Sequence, residues 1–210
     1  MKRTDILMIA ALTCAFALFA ACDDEKKPIE TMTSGFMTGY TDSEGFITLL
    51  KDDFGNEYTI SEKKDTLIPD TAIRVVTSIA LDNSGTARIL QTLYPISYKA
   101  PEDSTINDTL KVKDPVKFYT AYIGGGYLNI TLGIKVQKEG TKHLLAYTHL
   151  NASNAAAFTF YHNAFGDGEL YTKNAYISIP LSFYGLQKND TVSVSFNSYS
   201  GDSILNILYK

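Results

Sequence analysis

From about residue 34 onward, apolar and polar residues alternate with a period of two, and no stretch of eleven or more residues holds a 3.6-residue apolar period. The clearest case spans 191–199, where Val192, Val194 and Phe196 face one way and Ser193, Ser195 and Asn197 the other, as a half-buried strand requires. The spacing predicts an all-β protein. In the first half it places strands over 35–40, 46–50, 57–60, 73–81 and 86–97. Turn signals separate them, among them Asp42-Ser43-Glu44-Gly45, Asp52-Asp53-Phe54-Gly55-Asn56 and Asp82-Asn83-Ser84-Gly85. Five short strands in about 65 residues suit a small closed, OB-like β-barrel, assigned to residues 34–100. The polar stretch 99–108 has little β-propensity and marks the expected domain boundary. Beyond it, strands are predicted over 116–123, 127–136, 143–150, 157–161, 176–183, 191–199 and 204–209, the pattern of an antiparallel β-sandwich, assigned to residues 110–210. The last strand reaches the C-terminus, so loss of even a few terminal residues should hurt.

The first 21 residues follow another rule. Lys2 and Arg3 precede an uncharged stretch, 6–20, that is too short to span a bilayer comfortably, so residues 1–21 read as a secretory signal. Its end, Leu18-Phe19-Ala20-Ala21-Cys22, looks like a bacterial lipobox, in which small residues precede a cysteine that is diacylated and becomes the first residue of the processed chain. Cys14 is the competing site, but only about eight apolar residues lie upstream of it, at the bottom of the range for a signal core. Cys22 is therefore the predicted lipidation site. Cys14 then leaves with the signal, so the processed chain holds no free thiol and no disulfide, and its stability rests on burial. Acyl chains contributing roughly 0.8 kcal/mol per buried methylene make a permanent membrane anchor.

Residues 22–33 form a polar tether. The acidic run Asp23-Asp24-Glu25 resembles the surface-export signal of Bacteroidetes lipoproteins, and it also suits a solvated linker. The expected address is the outer membrane, at the cell surface or on its periplasmic face.

Composition narrows function by exclusion. With 45% hydrophobic residues the 210-residue chain can fill packed cores, and a formal net charge of −4 argues against nucleic acid, which needs a basic surface. His143 and His149 lie on one strand face, but six residues put them roughly 20 Å apart, too far to share a metal ion. His162 follows a strand able to pair with theirs and adds at most a second ligand. Neither a metal nor a cofactor is expected.

No Gly-x-Ser-x-Gly, Cys/His pair or His-Glu-x-x-His occurs, so no catalytic residues are assigned and the chain does not read as an enzyme. Gly124-Gly125-Gly126 lacks the helix and the Lys-Ser/Thr of a phosphate loop and reads as a bulge or a close backbone approach to the other sheet or domain. Asp52, Asp53, Asn56 and Glu57 bunch oxygens around Gly55, yet without the rhythm of a calcium loop they read as a solvated turn. The 14 tyrosines suit strand faces and, where exposed, contact with sugars or a protein partner. Around 155–157 and 165–168 the chain is expected to form exposed tips. Asp followed by Ser or Thr recurs before an aliphatic residue or Thr, which resembles the O-glycosylation acceptor of exported Bacteroidetes proteins; the candidate sites are Thr66, Thr71, Ser104, Thr109, Thr191 and Ser203.

Several features coincide: the lipobox, an OB-like first part carrying Leu50-Lys51-Asp52-Asp53-Phe54-Gly55-Asn56-Glu57-Tyr58, the pair Arg74-Val75, and Tyr122-Ile123-Gly124-Gly125-Gly126-Tyr127-Leu128-Asn129-Ile130. Together they resemble the NigD-like lipoproteins of Bacteroidetes across essentially the whole chain. The resemblance implies an N-terminal OB domain followed by a C-terminal β-sandwich. It also implies a non-catalytic role in bacteriocin immunity or protein binding, with glycan or small-ligand binding as the alternative.

Overall fold

A computed structural model describes residues 31–64, 66–150 and 156–210. The predicted signal peptide and Cys22 lie outside these residues. Five strands, β1 (Thr31–Thr41), β2 (Ile47–Asp52), β3 (Glu57–Ile60), β4 (Ala72–Leu81) and β5 (Thr86–Leu93), close into a barrel in the order β1-β2-β3-β5-β4, with β4 pairing back onto β1. Closure removes both sheet edges, and the short parallel contact of β3 with β5 at Thr59–Thr86 completes the ring. Alternation turns Met37, Leu50, Val75, Ile79 and Ala87 into the barrel core. The expected OB-like barrel is thus formed.

Seven strands follow: β6 (Lys117–Gly124), β7 (Tyr127–Val136), β8 (Leu144–Leu150), β9 (Ala156–Asn163), β10 (Tyr171–Pro180), β11 (Thr191–Ser198) and β12 (Gly201–Leu208). They make a three-stranded sheet, β10-β7-β6, and a four-stranded sheet, β12-β11-β9-β8. Leu128, Ile130, Leu132, Ile177 and Ile179 from the first sheet pack against Phe158, Val192, Val194 and Phe196 from the second, as in a β-sandwich. All pairings here are antiparallel except β9 with β11, which run parallel because β10 intervenes in sequence and belongs to the other sheet.

Three local readings change. Strand β1 starts at Thr31, so the expected tether to residue 33 is shorter: Thr31, Met32 and Thr33 pair with Leu81, Ala80 and Ile79 at the far end of the ten-residue β4. Strand β5 ends at Leu93, and the chain beyond it joins the sandwich. Ile96 bridges to Ile177, Glu102 to His149 and Lys113 to His162, so the polar stretch around 99–108 is stitched to the second sheet. Asp103 holds it there, accepting from Tyr161 Oη at 2.5 Å, Thr148 Oγ1 at 2.7 Å and Lys111 Nζ at 3.0 Å. Finally, Ala156 is buried in β9 and is no exposed tip, because it faces the sandwich core; Ala155 lies outside the described residues. Phe165 is exposed as expected.

Candidate functional site

Arg74 lies on β4 opposite Thr38 of β1. Its neighbour Val75 fills the barrel core, so alternation turns the Arg74 side chain outward. The sheet β10-β7-β6 covers that outer face and leaves the side chain only 3% exposed. Asp53, in the turn between β2 and β3, has a side chain 1% exposed. Charges this deep require a partner and further hydrogen bonds.

Both are supplied. Arg74 Nη2 donates to Asp53 Oδ1 at 2.6 Å, Asp53 Oδ2 at 2.8 Å and Asn129 Oδ1 at 2.9 Å. Its Nε donates to Ser178 Oγ at 2.9 Å and its Nη1 to Thr38 Oγ1 at 3.3 Å. Ser178 donates onward to Asn129 Oδ1 at 2.6 Å. Asp53 Oδ2 also accepts from Tyr122 Oη at 2.7 Å and Asn129 Nδ2 at 2.9 Å. The guanidinium carbon sits 4.4 Å from the Tyr127 ring centre and 5.7 Å from that of Phe36. Burial, reinforced by the hydrogen bond to Asp53, raises the Tyr122 pKa and keeps the phenol a donor.

The glycine run closes over this network. A Cβ on Gly124 would come within 2.8 Å of Asp53 Cβ, and one on Gly125, where φ is 59°, would overlap Asp53 Oδ1. The expected close backbone approach is therefore made by the sandwich to the barrel's turn. One residue of the Asp52–Glu57 turn departs from the expected solvated turn: the Asp53 side chain is buried, because it faces Arg74 rather than solvent. Asp52 takes the local role, accepting from the backbone N–H groups of Phe54 and Asn56, from Asn56 Nδ2 and from Tyr58 Oη.

Beside the network a cleft of about 510 Å³ opens between the barrel's outer face and the three-stranded sheet. Its walls include Phe36, Phe54, Leu93, Tyr122, Thr131 and Tyr176. Phe36 meets Tyr122 and Tyr176 edge to face, with ring centres 6.2 and 6.0 Å apart. Phe54, at the tip of the β2–β3 turn, is 87% exposed on the rim. Ring faces and hydroxyls in a concave site suit an apolar peptide segment or a sugar ring.

The histidines separate as the strand spacing implies, His149 apart from the other two. His149 packs on Tyr184 and Phe158, with ring centres 4.7 and 5.6 Å away. His143 and His162 meet directly, His143 Nδ1 lying 2.9 Å from His162 Nε2. His162 Nδ1 lies 3.2 Å from the Asp114 carbonyl oxygen and donates there. His143 Nε2 faces Asp167 Oδ2 at 3.2 Å and donates to that carboxylate. Among the described residues, no group of three or more His, Cys, Asp or Glu side chains is placed to hold a metal ion.

Of the modification candidates, Thr66, Ser104, Thr109 and Thr191 are exposed, whereas Thr71 and Ser203 are half-buried. The Ser203 hydroxyl is engaged by Ser198 Oγ and the Gly201 carbonyl. In the sequence Asp53, Arg74, Tyr122, Gly124, Gly125 and Asn129 stand in separate short motifs; the fold unites them in one network. Ser178 belonged to no motif and gave no signal.

Residues 99–209 match the model of the NigD-like C-terminal beta sandwich domain. Among solved structures, a NigD-like immunity protein from Bacteroides caccae is 25% identical, with a TM-score of 0.70 over 84% of this chain and 92% of that one. A putative toxin related protein from Parabacteroides distasonis is 18% identical, with a TM-score of 0.68 over 86% and 94%. A putative lipoprotein from Bacteroides fragilis is 11% identical, with a TM-score of 0.64 over 86% and 98%. The latter two share the fold. No curated protein sequence matches the chain.

Proposed function

The chain belongs to the family of NigD-like proteins, and from that premise we propose that it is an exported lipoprotein, acylated at Cys22, that holds a protein partner in the cleft between barrel and sandwich without covalent chemistry. One observation carries this reading. Buried polar groups near the cleft, Arg74, Asp53, Asn129 and Ser178, spend their hydrogen bonds on one another and join the two halves, and the cleft beside them presents the rings of Phe36, Phe54, Tyr122 and Tyr176 among neutral Ser, Thr and Gln side chains and Asp52. Such a surface is built to recognise rather than to transform. The similarity to an immunity protein supports self-protection against a toxin as the biological form of that recognition. The lipobox supports outer-membrane anchoring, and the exposed hydroxyls of Thr66, Ser104, Thr109 and Thr191 support O-glycosylation of the anchored chain.

Deletion of the gene, followed by challenge with toxins of neighbouring strains, tests the role. Sensitivity restored to resistance by the wild-type gene, but not by Phe54→Glu with Tyr176→Ala, is the expected result; unchanged survival of the deletion strain removes the immunity reading. Replacing Cys22 by Ala should abolish palmitate labelling and release the protein from the membrane fraction. The aromatic walls also favour a second reading, glycan binding. Flat calorimetric titrations against capsular and host polysaccharides would leave that reading without support.

A further inference from the structure

Strand β12 is the outermost strand of the four-stranded sheet and pairs only with β11 within the described ladders. Natural sheets shield such an edge with a proline, a bulge, a lysine or a covering loop. The stretch Gly201-Asp202-Ser203-Ile204-Leu205-Asn206-Ile207-Leu208 contains neither proline nor lysine, and its register to β11 runs without a bulge. Its outward positions include Ile204, 71% exposed, and Leu208, 57% exposed. Exposed aliphatic side chains on an unshielded edge mark a pairing surface.

The backbone shows which groups are free to pair. Tyr209 donates its N–H to Asp190 O and accepts at its carbonyl from Asn189 N, so its polar groups point toward β11. In an antiparallel ladder successive residues alternate sides, which turns the N–H and C=O of Asp202, Ile204, Asn206 and Leu208 toward the open edge.

We propose that β12 pairs antiparallel with β12 of a second copy of this chain, centred on Asn206. That register is self-complementary. Asn206 faces Asn206, Ile204 faces Leu208 on the outer face, and Leu205 faces Ile207 on the inner face, where both already pack against the sandwich core. At the two ends Asp202 faces Lys210, an opposite-charge pair made twice by the two-fold axis. The residues that pair are those whose outward N–H and C=O groups exchange hydrogen bonds in this ladder, so backbone, apolar and charge patterns agree on a single register. Two four-stranded sheets join into one of eight strands.

Cysteine cross-linking of the full chain in its host membrane tests the register, with the processed chain otherwise lacking a thiol if Cys22 is acylated. Asn206→Cys should form a disulfide-linked dimer under mild oxidation. Asp202→Cys should not, because copies of that residue stand eight positions apart along the paired strands, roughly 27 Å. Ile204→Lys, an exposed edge substitution, should keep the thermal midpoint and turn the detergent-solubilised dimer into a monomer by light scattering. A wild-type chain that stays monomeric up to about 100 µM, where mass action favours even a weak dimer, overturns the proposal. So does Asp202→Cys cross-linking as readily as Asn206→Cys. Capture of a foreign strand in place of a second copy would appear as a cross-linked species heavier than the monomer but unequal to twice its mass, and would likewise overturn it.

Discussion

Arg74 donates to groups from both halves of the molecule, to Thr38 and Asp53 on the barrel side and to Asn129 and Ser178 on the sandwich side. Removing one member of a buried ion pair leaves the other charged and unmatched, at a cost of roughly 3–5 kcal/mol. Asp53→Ala is therefore expected to lower the denaturant midpoint severely, whereas Glu57→Ala, which breaks only the exposed pair with Lys51, should shift it by less than about 1 kcal/mol. A similar loss from both variants in urea titrations would contradict the account. His162 adds a pH dependence. Burial lowers its pKa from the ordinary 6.5, with the neighbouring His143 adding to the effect. The unfolded chain then binds the proton more readily, so stability is full above about pH 6.5 and falls as pH drops through that value toward the lower folded one. Wild type should lose more stability between about pH 7.5 and about pH 5.5 than His162→Gln does; equal losses would assign the effect elsewhere.

The C-terminal segment links the order of the sequence to the integrity of the sandwich. Leu205, Ile207 and Tyr209 pack against the core, and Tyr209 closes the ladder with two backbone hydrogen bonds to Asn189 and Asp190. Deleting Tyr209 and Lys210 removes an aromatic ring and both bonds, an expected loss of about 2–4 kcal/mol, readable as a lowered thermal midpoint. Retention of the full midpoint would mean that the last turn of the ladder is dispensable. The connecting stretch makes a related point. Tyr98 and Tyr147 stack with ring centres 4.3 Å apart and exchange hydrogen bonds, Tyr147 Oη donating to Tyr98 O at 2.6 Å and accepting from Tyr98 N at 2.8 Å. A segment with weak β-propensity is thus ordered by side chains it meets 49 positions later, and no local pattern announces that.

For the molecule as a whole, residues 31–210 form one compact unit, and the Arg74 network is the polar seam across it. Calorimetry of the wild type is expected to give one cooperative transition, and Asp53→Ala to separate it into two as barrel and sandwich uncouple. Two transitions in the wild type would show that the seam does not couple them. The alternation of residues along each strand was enough to establish an all-β chain, because burial on one face of a pleated strand imposes a period of two that neighbours in sequence reveal. The motif residues were legible too, but only as fragments: Asp53, Arg74, Asn129 and Ser178 span 125 positions, and alternation says that Arg74 points out of the barrel without saying what lies there. Docking of the sheet β10-β7-β6 onto that face converts an outward polar residue into a buried ion and sets the cleft beside it, while the strand order of the second sheet puts β12 at an open edge. Those outcomes depend on which surfaces come together in space, a long-range choice made by packing that no window of the sequence contains.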